Sequence, residues 1–222
     1  MESGFLIIDK PKGVSSFYVV GVLRRMTGVK KIGYAGTLDP LATGVLVCAI
    51  GREATKKIGE FSGAPKRYRA MLELGKVSDT YDADGVIAIA KEASRPTKTR
   101  VENILKGFLG KIEQMPPAFS AKKIGGQRAY ALARRGEVVV LSKSKVEIFS
   151  IKIVSYQYPW LEIDIECSAG TYIRSIAHDL GHLLETGAIV VELRRTAVGE
   201  IDIKKAISLE KLDSSSWRKY LL

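Results

Sequence analysis

The chain has 222 residues, 46% of them hydrophobic, and its 35 Lys and Arg against 24 Asp and Glu give a net charge of +11. This length and composition predict a folded domain with a sizeable core and exclude a disordered protein. No stretch approaches the roughly 18 apolar residues that span a bilayer, and the N-terminus lacks the pattern of a secretory signal. Cys48 and Cys167 lie in apolar runs, which favours buried free thiols in a reducing cytoplasm. The positive surplus indicates a polyanionic partner.

The first part of the chain alternates short strands and helices. Serine at position 15 or 16 can cap the first helix, and Gly28 can end it. The apolar spacing and the turn residues predict a strand at 4–9, a helix up to residue 28, a loop over 30–44, a buried strand at 45–50, a short helix at 53–61 and a strand at 67–74.

An acidic loop, residues 79–85, follows this strand. Beyond it, the pattern predicts helices at 99–109 and 174–185, a chain break at 115–117, and strands at 146–156, 161–167 and in the VVEL and AVGEIDI segments. Because no repeat or long linker interrupts this order, we expect residues 1–222 to form one compact domain of mixed helices and strands.

The positive charge is unevenly distributed. Residues 114–136 contain no acid, whereas residues 161–222 carry 8 basic and 10 acidic side chains. Aromatic residues and paired glycines interrupt the basic segment, a composition that suits phosphate contacts and base stacking. A solvated loop, an acidic protein or a membrane surface would also fit the charge. The basic side chains concerned are Lys122, Lys123, Arg128, Arg134 and Arg135.

Two groups of residues could carry chemistry. His178 and His182 have the i, i+4 spacing of metal ligands, but they fall on the polar side of the predicted helix, so an exposed face is the better interpretation than a metal site. Asp39 lies in a glycine-rich loop directly before Pro40 and the buried strand, which would hold its carboxylate rigidly. An ordinary Asp-Pro turn is the alternative interpretation of Asp39.

Several segments resemble the tRNA pseudouridine synthases of the bacterial TruB type, whose relatives include the dyskerin-like enzymes. The resemblance runs from about residue 4 to 212 in consistent order. The segments that carry it are LIIDKPKGVSS, GTLDPLATGVL, KRYRAMLELG with DTYDADG, MPPAFSAKKIGGQRAYALARRG, SAGTYIRSIAHDLG and ELRRTAVG.

The resemblance implies an α+β fold with a mixed, largely antiparallel sheet flanked by helices. It implies a cofactor-free and metal-free enzyme that converts uridine to pseudouridine in the T arm of tRNA, at position 55. In the family the aspartate that matches Asp39 is the essential carboxylate. It could attack C1′ of the ribose, add to C6 of the uracil or remove a proton from C2′, and the sequence does not choose among these three roles.

The resemblance also assigns roles to other residues. Tyr68 would stack on the target base and help to deprotonate C5, although core packing is its alternative role. Arg174 would pair with the catalytic aspartate, and Tyr172 would form a second wall of the pocket. Asp82 matches a position in the hydrogen-bond network around the site, with a plain Asx turn as the alternative. The basic segment 114–136 matches an insertion that clasps the T arm.

Two departures from the family pattern affect these expectations. Tyr34 stands where many members have a histidine that helps to hold the flipped nucleotides. Longer members continue into an RNA-binding PUA domain, which we do not expect in this chain, and the basic segment should then carry more of the RNA affinity. The competing functions are guide-RNA-dependent modification of ribosomal RNA and RNA binding or chaperoning without catalysis. We expect no obligatory protein partner.

Overall fold

The computed structural model describes residues 3–90, 95–120, 122–124, 126–137, 139 and 141–222, with the backbone alone described at 123, 124, 128, 131 and 134. The strands of this part are β1 (Gly4–Lys10), β2 (Ile32–Ala35), β3 (Thr43–Ile50), β4 (Lys66–Leu74), β5 (Lys76–Ser78), β6 (Ile87–Ile89), β7 (Gly110–Gln114), β8 (Lys123–Ile124), β9 (Gln127–Arg128), β10 (Ser144–Gln157), β11 (Trp160–Cys167), β12 (Ala188–Val198), β13 (Ile201–Asp202) and β14 (Ile207–Ser208). The α-helices are α1 (Ser16–Thr27), α2 (Gly51–Lys57), α3 (Gly59–Gly63), α4 (Lys98–Lys106), α5 (Ala129–Arg134) and α6 (Ile173–Leu183).

The chain forms two compact units. The first unit comprises Met1–Tyr68 and Leu193–Leu222, and the second comprises Arg69–Glu192. In the first unit the strand order is β14-β1-β3-β12, with β1 antiparallel to β3 and β2 also antiparallel to β3. In the second unit the order is β4-β11-β10-β7, and β10 is antiparallel to both of its neighbours. The predicted mixed α+β fold with largely antiparallel strands is confirmed.

The core of the first unit packs around β3, whose residues from Gly44 to Ile50 are all buried. Such a continuous apolar run is what the sequence predicts for a central strand. Helix α1 begins after Ser15, whose side chain accepts a hydrogen bond from the Tyr18 N–H, and it ends at Gly28 in the left-handed conformation. Both helix boundaries agree with the prediction. The core cluster contains Ile7, Ala35, Val45, Val47, Val198 and Ile201.

In the second unit the predicted periodicities are confirmed on β11 and α6. Every second residue of β11 from Leu161 to Cys167 is buried, as expected for a strand with one face in the core. Helix α6 buries Ile173, Ile176, Ala177 and Leu180 along one side. None of the helices described here is long and apolar enough to cross a membrane.

Three sequence predictions differ from the structure, and each difference involves a glycine. The predicted loop 30–44 contains β2, which the sequence hides because this four-residue strand includes Gly33 and depends on pairing with β3. The predicted helix 53–61 is two short helices, α2 and α3, on either side of Ile58, with Gly59 opening the second. Helix α4 ends at Lys106, with Gly107 as its cap, rather than at residue 109, and β7 begins at Gly110.

We expect both thiols of the native protein to resist modification. Cys48 is fully buried, and burial raises the pKa of its thiol to about 12 even though Arg195 opposes that shift. Cys167 is also fully buried. Because the thiolate is the reactive form, a disulfide reagent at about pH 8 should titrate no thiol in the native state and both in denaturant. Rapid reaction of native protein would contradict this packing.

Candidate active site

The Asp39 carboxylate stands on a short turn between β2 and β3. The turn closes through a hydrogen bond from the Ala42 N–H to the Asp39 carbonyl, 3.1 Å long. Leu38 and Leu41 on either side are buried, whereas Asp39 itself is half-buried. The turn is thus anchored in the core by apolar side chains, while Asp39 itself stays partly accessible.

The segment that joins β1 to α1 holds this turn from one side. Ser16 Oγ accepts from the Leu38 N–H at 2.9 Å and donates to the Leu38 carbonyl at 3.0 Å. The Gly13 N–H donates to the Pro40 carbonyl at 2.8 Å. Lys10 is fully buried, and its Nζ donates to the Pro11 and Val14 carbonyls and, at 3.4 Å, to that of Pro40. Hydrogen bonds therefore fix the backbone immediately before and after Asp39.

Arg195 of β12 holds the same loop from another direction. Its side chain is 1% exposed, its Nε donates to the Val45 carbonyl at 2.7 Å, and its Nη2 donates to the Gly36 carbonyl at 2.9 Å. Gly44 has a φ of +101°, and a Cβ there would overlap the Arg195 carbonyl. Glycine is required at this position because the two backbones touch.

Replacing Ser16 with Ala tests whether this anchoring matters for function. The change removes both hydrogen bonds to Leu38 and leaves a buried N–H and C=O unpaired, so we expect a loss of about 1–3 kcal/mol in the free energy of unfolding. Displacement of the neighbouring carboxylate should also lower the turnover number about ten- to a hundredfold. Denaturant unfolding and single-turnover kinetics would measure the two effects.

Ser15 supplies the matched control for that variant. Its side chain caps α1 by accepting from the Tyr18 N–H, so Ser15→Ala should cost a comparable amount, about 0.5–2 kcal/mol, in unfolding free energy. Its turnover number should stay near that of the wild type. Equal kinetic losses in the two variants would mean that stability alone, rather than the position of Asp39, sets the rate.

The predicted tyrosines of the first unit have different surroundings. Tyr68 lies on the buried face of β4, with only 9% of its surface exposed. Its predicted packing role is therefore confirmed, and its role toward a base stays a prediction. Tyr34 is half-buried on β2, where it pairs in register with Cys48 of β3.

Arg174 is the centre of the predicted site residues in the second unit. It lies in the first turn of α6 and is 4% exposed. Its Nε lies 3.5 Å from Asp82 Oδ2, its Nη1 donates to the Thr80 carbonyl at 2.8 Å, and its Nη2 donates to the Phe119 carbonyl at 2.9 Å. The pairing expected between Arg174 and the catalytic aspartate stays a prediction.

Asp82 is nearly fully buried and uses its two carboxylate oxygens differently. Oδ1 accepts from Thr80 Oγ1 at 2.6 Å and from the Asp84 N–H at 3.1 Å, which is the predicted Asx-type turn. Oδ2 faces Arg174. The backbone of this loop also bonds to Val190, through the Tyr81 carbonyl and the Ala83 N–H. Asp82 thus links the acidic loop to the buried arginine, as well as forming a turn.

The first turn of α6 also holds the start of the basic segment. The Gln114 side chain accepts from the Tyr172 N–H at 2.8 Å and donates to the Tyr172 carbonyl at 3.0 Å. Ser175 Oγ donates to the Met115 carbonyl at 2.7 Å. Together with the Arg174–Phe119 bond, these contacts fix residues 114–119 against the helix that carries Arg174. A role for Tyr172 as a pocket wall stays a prediction.

The structure describes the side chains of only two of the five predicted RNA-binding cations. Lys122 Nζ donates to the Ser142 carbonyl and to Ser144 Oγ, so it is bonded to the start of β10. Arg135 pairs with Glu137 at 2.7 Å in an exposed ion pair. The backbones of Lys123, Arg128 and Arg134 lie on β8, β9 and α5, and their side chains fall outside the described part.

The two histidines do not share one environment. His182 is exposed, as predicted for a polar helix face. The His178 ring instead stacks on Tyr81 with a centroid separation of 4.0 Å. Burial raises the pKa of Tyr81, and Asp179 adds to that shift. The interpretation of His178 as part of a simply solvated face is therefore incomplete.

Sequence reasoning missed Lys10, Ser16 and Arg195 as residues that position Asp39. A signal was present for two of them. Lys10 occupies the same alternating face of β1 as Leu6 and Ile8, and Arg195 shares the buried face of β12 with Leu193. A charged side chain at a core position of a strand indicates a buried, hydrogen-bonded cation. The role of Ser16 depends on the loop conformation and leaves no such pattern.

This fold is shared with a solved RNA-binding assembly. The chain superposes on a protein of an H/ACA ribonucleoprotein bound to a substrate RNA containing 2′-deoxyuridine, with a TM-score of 0.72 and 25% identity. The match covers 97% of this chain and 55% of that one, so this chain spans about half the length of the solved protein. The architecture therefore belongs to a class that includes a protein of this RNA-bound ribonucleoprotein.

Sequence comparison identifies the family within this class. Residues 24–173 match the N-terminal domain of the TruB family pseudouridylate synthases, and residues 174–221 match the tRNA pseudouridylate synthase B C-terminal domain. The chain belongs to the TruB family of pseudouridylate synthases. The tRNA pseudouridine synthase B of Chlamydia abortus is 44% identical over 93% of this chain and 87% of its own length. That of Clostridium tetani is 38% identical over 99% of this chain and 76% of its own.

Proposed function

We propose that this protein converts uridine to pseudouridine in the T arm of tRNA, at position 55, in the cytoplasm. Its family membership and its relatives named tRNA pseudouridine synthase B support the reaction and the RNA substrate. The observation that carries the proposal is the turn that holds Asp39. Contacts from Lys10, Ser16 and Arg195 fix that turn in a core of buried residues while the carboxylate itself stays half-buried.

The reaction breaks the N1–C1′ bond, rotates the uracil and forms a C5–C1′ bond, after which C5 loses its proton and N1 carries one. We assign the essential carboxylate to Asp39. An ionised carboxylate within bonding distance could attack C1′, add to C6 or remove the C2′ proton. A rigid turn serves each of these roles, because it holds the carboxylate in one direction before the substrate arrives. The exchange consumes no co-substrate, since substrate and product are isomers.

We also assign catalytic roles to Tyr68 and Arg174, with Asp82 as a positioning residue for Arg174. The buried pair of Arg174 and Asp82 is expensive to desolvate, and such a pair is typical of functional sites. Tyr34 and Tyr172 would contact the extruded nucleotide. A uridine in a folded tRNA arm is stacked, so the enzyme must flip it out at a cost of a few kcal/mol.

We assign the basic segment 114–136 to RNA binding. Replacing Lys122, Lys123, Arg128, Arg134 and Arg135 together with Gln should raise the tRNA dissociation constant and lower its salt dependence, with little change in the rate at saturating RNA. Arg135→Gln alone should have a small effect, because Arg135 already pairs with Glu137. An unchanged dissociation constant in the fivefold variant would contradict this assignment.

The proposed reaction is tested by tritium release. Purified protein is incubated with a tRNA transcript that carries uracil tritiated at C5, with a metal chelator and without guide RNA or other proteins. Release of one tritium per tRNA would support the proposal. If the wild type binds the tRNA but releases nothing, a binding protein or chaperone becomes the better conclusion. Release only after a guide RNA is added would indicate a guide-dependent enzyme.

A further inference from the structure

A second segment of the chain is as free of acid as the proposed RNA-binding segment. Between Asp9 and Asp39 the sequence contains no Asp or Glu and six basic residues. One of the six, Lys10, is buried, and the other five are exposed. This segment lies entirely in the first unit and includes α1, β2 and the turns beside them. Its charge is not used by the proposed reaction.

Helix geometry collects these charges on one face. At 100° per residue, Phe17, Gly21 and Arg24 fall in one row and Tyr18, Gly21 and Arg25 fall in the adjacent one. The opposite face carries the buried residues Ser16, Val19, Val20 and Leu23. Lys30 and Lys31 follow directly after the helix and are exposed. We call Phe17, Tyr18, Arg24, Arg25, Lys30 and Lys31 the α1 patch.

The aromatic residues of the α1 patch are unusually exposed. Phe17 is 64% exposed and Tyr18 is 52% exposed. The guanidinium carbon of Arg24 lies 5.9 Å from the centre of the Phe17 ring, which places a cation beside an open aromatic face. Gly21 lies between these side chains, and a Cβ there would approach only Arg25. The surface therefore has a gap flanked by two rings and two guanidinium groups.

Within the residues that the structure describes, the cations of the α1 patch do not pair with carboxylates. Across the described ranges, Arg24, Arg25, Lys30 and Lys31 form no ion pair. A depression of about 260 Å³ at the end of α1 is lined by Arg24, Gly28, Val29 and Lys30. It is large enough for a phosphate group, and its two cations outweigh the partial negative charge of a helix C-terminus.

We propose that the α1 patch is a second RNA-binding surface that contacts the phosphate backbone and an unpaired base of the substrate tRNA. The proposal rests on the proposed function, which supplies the RNA. Cations interleaved with exposed aromatic rings are the combination that binds nucleic acid, because the cations pair with phosphates and the rings stack on bases. Binding of an acidic protein would need only the cations and would not explain why the two aromatic rings are exposed.

The test compares two variants of the full chain that lose the same charge. The patch variant is Arg24→Gln, Arg25→Gln, Lys30→Gln and Lys31→Gln. The control variant is Lys204→Gln, Lys205→Gln, Lys211→Gln and Lys219→Gln, which removes four exposed cations of the same unit from residues 200–222, a range that also contains four acids. The dissociation constant of a tRNA transcript is measured over a range of salt concentrations. Tritium release at saturating RNA and thermal unfolding are measured alongside.

The patch variant should bind tRNA about tenfold or more weakly than the wild type near physiological salt. Its slope of log affinity against log salt should be smaller by about 2 to 3. Its rate at saturating RNA should stay within about twofold, and the control variant should bind nearly as the wild type does. Phe17→Ala with Tyr18→Ala should weaken binding about fivefold or more without changing the salt slope.

Three outcomes would overturn the proposal: tRNA binding by the patch variant like that of the wild type, equal losses in the patch and control variants, or no tRNA binding by the wild type. The first would favour an acidic protein or membrane partner, and the second would mean that only net charge matters. If the wild type binds tRNA but releases no tritium, and the patch variant loses binding, the α1 patch is supported while the proposed reaction fails.

Discussion

Asp39→Asn is expected to abolish pseudouridine formation while leaving the fold and the RNA affinity in place. The amide is nearly the same size as the carboxylate, so the turn and its bonds to Lys10, Ser16 and Arg195 should persist. The amide can neither act as a nucleophile nor accept a proton at neutral pH, and the rate should fall at least about 10³-fold. Single-turnover tritium release at saturating tRNA measures this loss directly.

As a control, the tRNA dissociation constant and the thermal unfolding midpoint of this variant should equal those of the wild type. Asp39→Glu is a useful companion, because it keeps the charge but extends the carboxylate by one methylene group beyond the anchored turn. A displacement of that size should still cost about 10²-fold. Residual activity of Asp39→Asn close to that of the wild type would remove Asp39 from the chemical step.

Breaking the buried pair of Arg174 and Asp82 should have the largest effect on stability. Arg174→Met leaves the Asp82 carboxylate buried without its cation and frees the Thr80 and Phe119 carbonyls. Removing one partner of a buried ion pair costs about 3–5 kcal/mol in the free energy of unfolding. Tritium release should also fall, because the basic segment and the acidic loop lose their shared anchor. Denaturant unfolding and single-turnover kinetics measure both effects.

A double-mutant cycle separates the pair from its surroundings. Arg174→Met combined with Asp82→Asn should cost less than the sum of the two single changes, with a coupling energy of about 1–3 kcal/mol. Arg69 and Asp164 provide a matched exposed pair in the same unit, with two bonds of 2.8 Å between them. Arg69→Gln should lower stability far less, because solvent screens that pair. Additive losses at Arg174 and Asp82 would contradict the described contact.

The sequence predicts much of this fold because several elements have recognisable short-range sequence patterns. The alternation in β4 and β11, the apolar run of β3 and the Ser15 and Gly28 boundaries of α1 each follow from short-range patterns. Strand β2 could not be predicted, because its four residues become a strand only by pairing with β3. The same holds for β7, which the sequence also does not predict and which forms by pairing with β10.

Motifs in the sequence predict which residues form the candidate site, but they do not predict the contacts of those residues. Asp39, Tyr68 and Arg174 were found through motifs that resemble a family. Their surroundings depend on partners far away in the chain, such as Ser16 on the Leu38 backbone and Arg195 on the Gly36 carbonyl. Such bonds from side chain to backbone leave no periodic signal, because the acceptor is present at every residue. The bond from Arg174 to the Phe119 carbonyl is of the same kind.

The account is tested most directly by mapping pseudouridine in a tRNA transcript after incubation with the purified protein alone. We predict a single modified uridine, at position 55 in the T arm, formed to completion by the wild type and absent from the Asp39→Asn reaction. A transcript with cytidine at that position should acquire no pseudouridine. Modification at other uridines, or none in the wild-type reaction despite tRNA binding, would contradict the account.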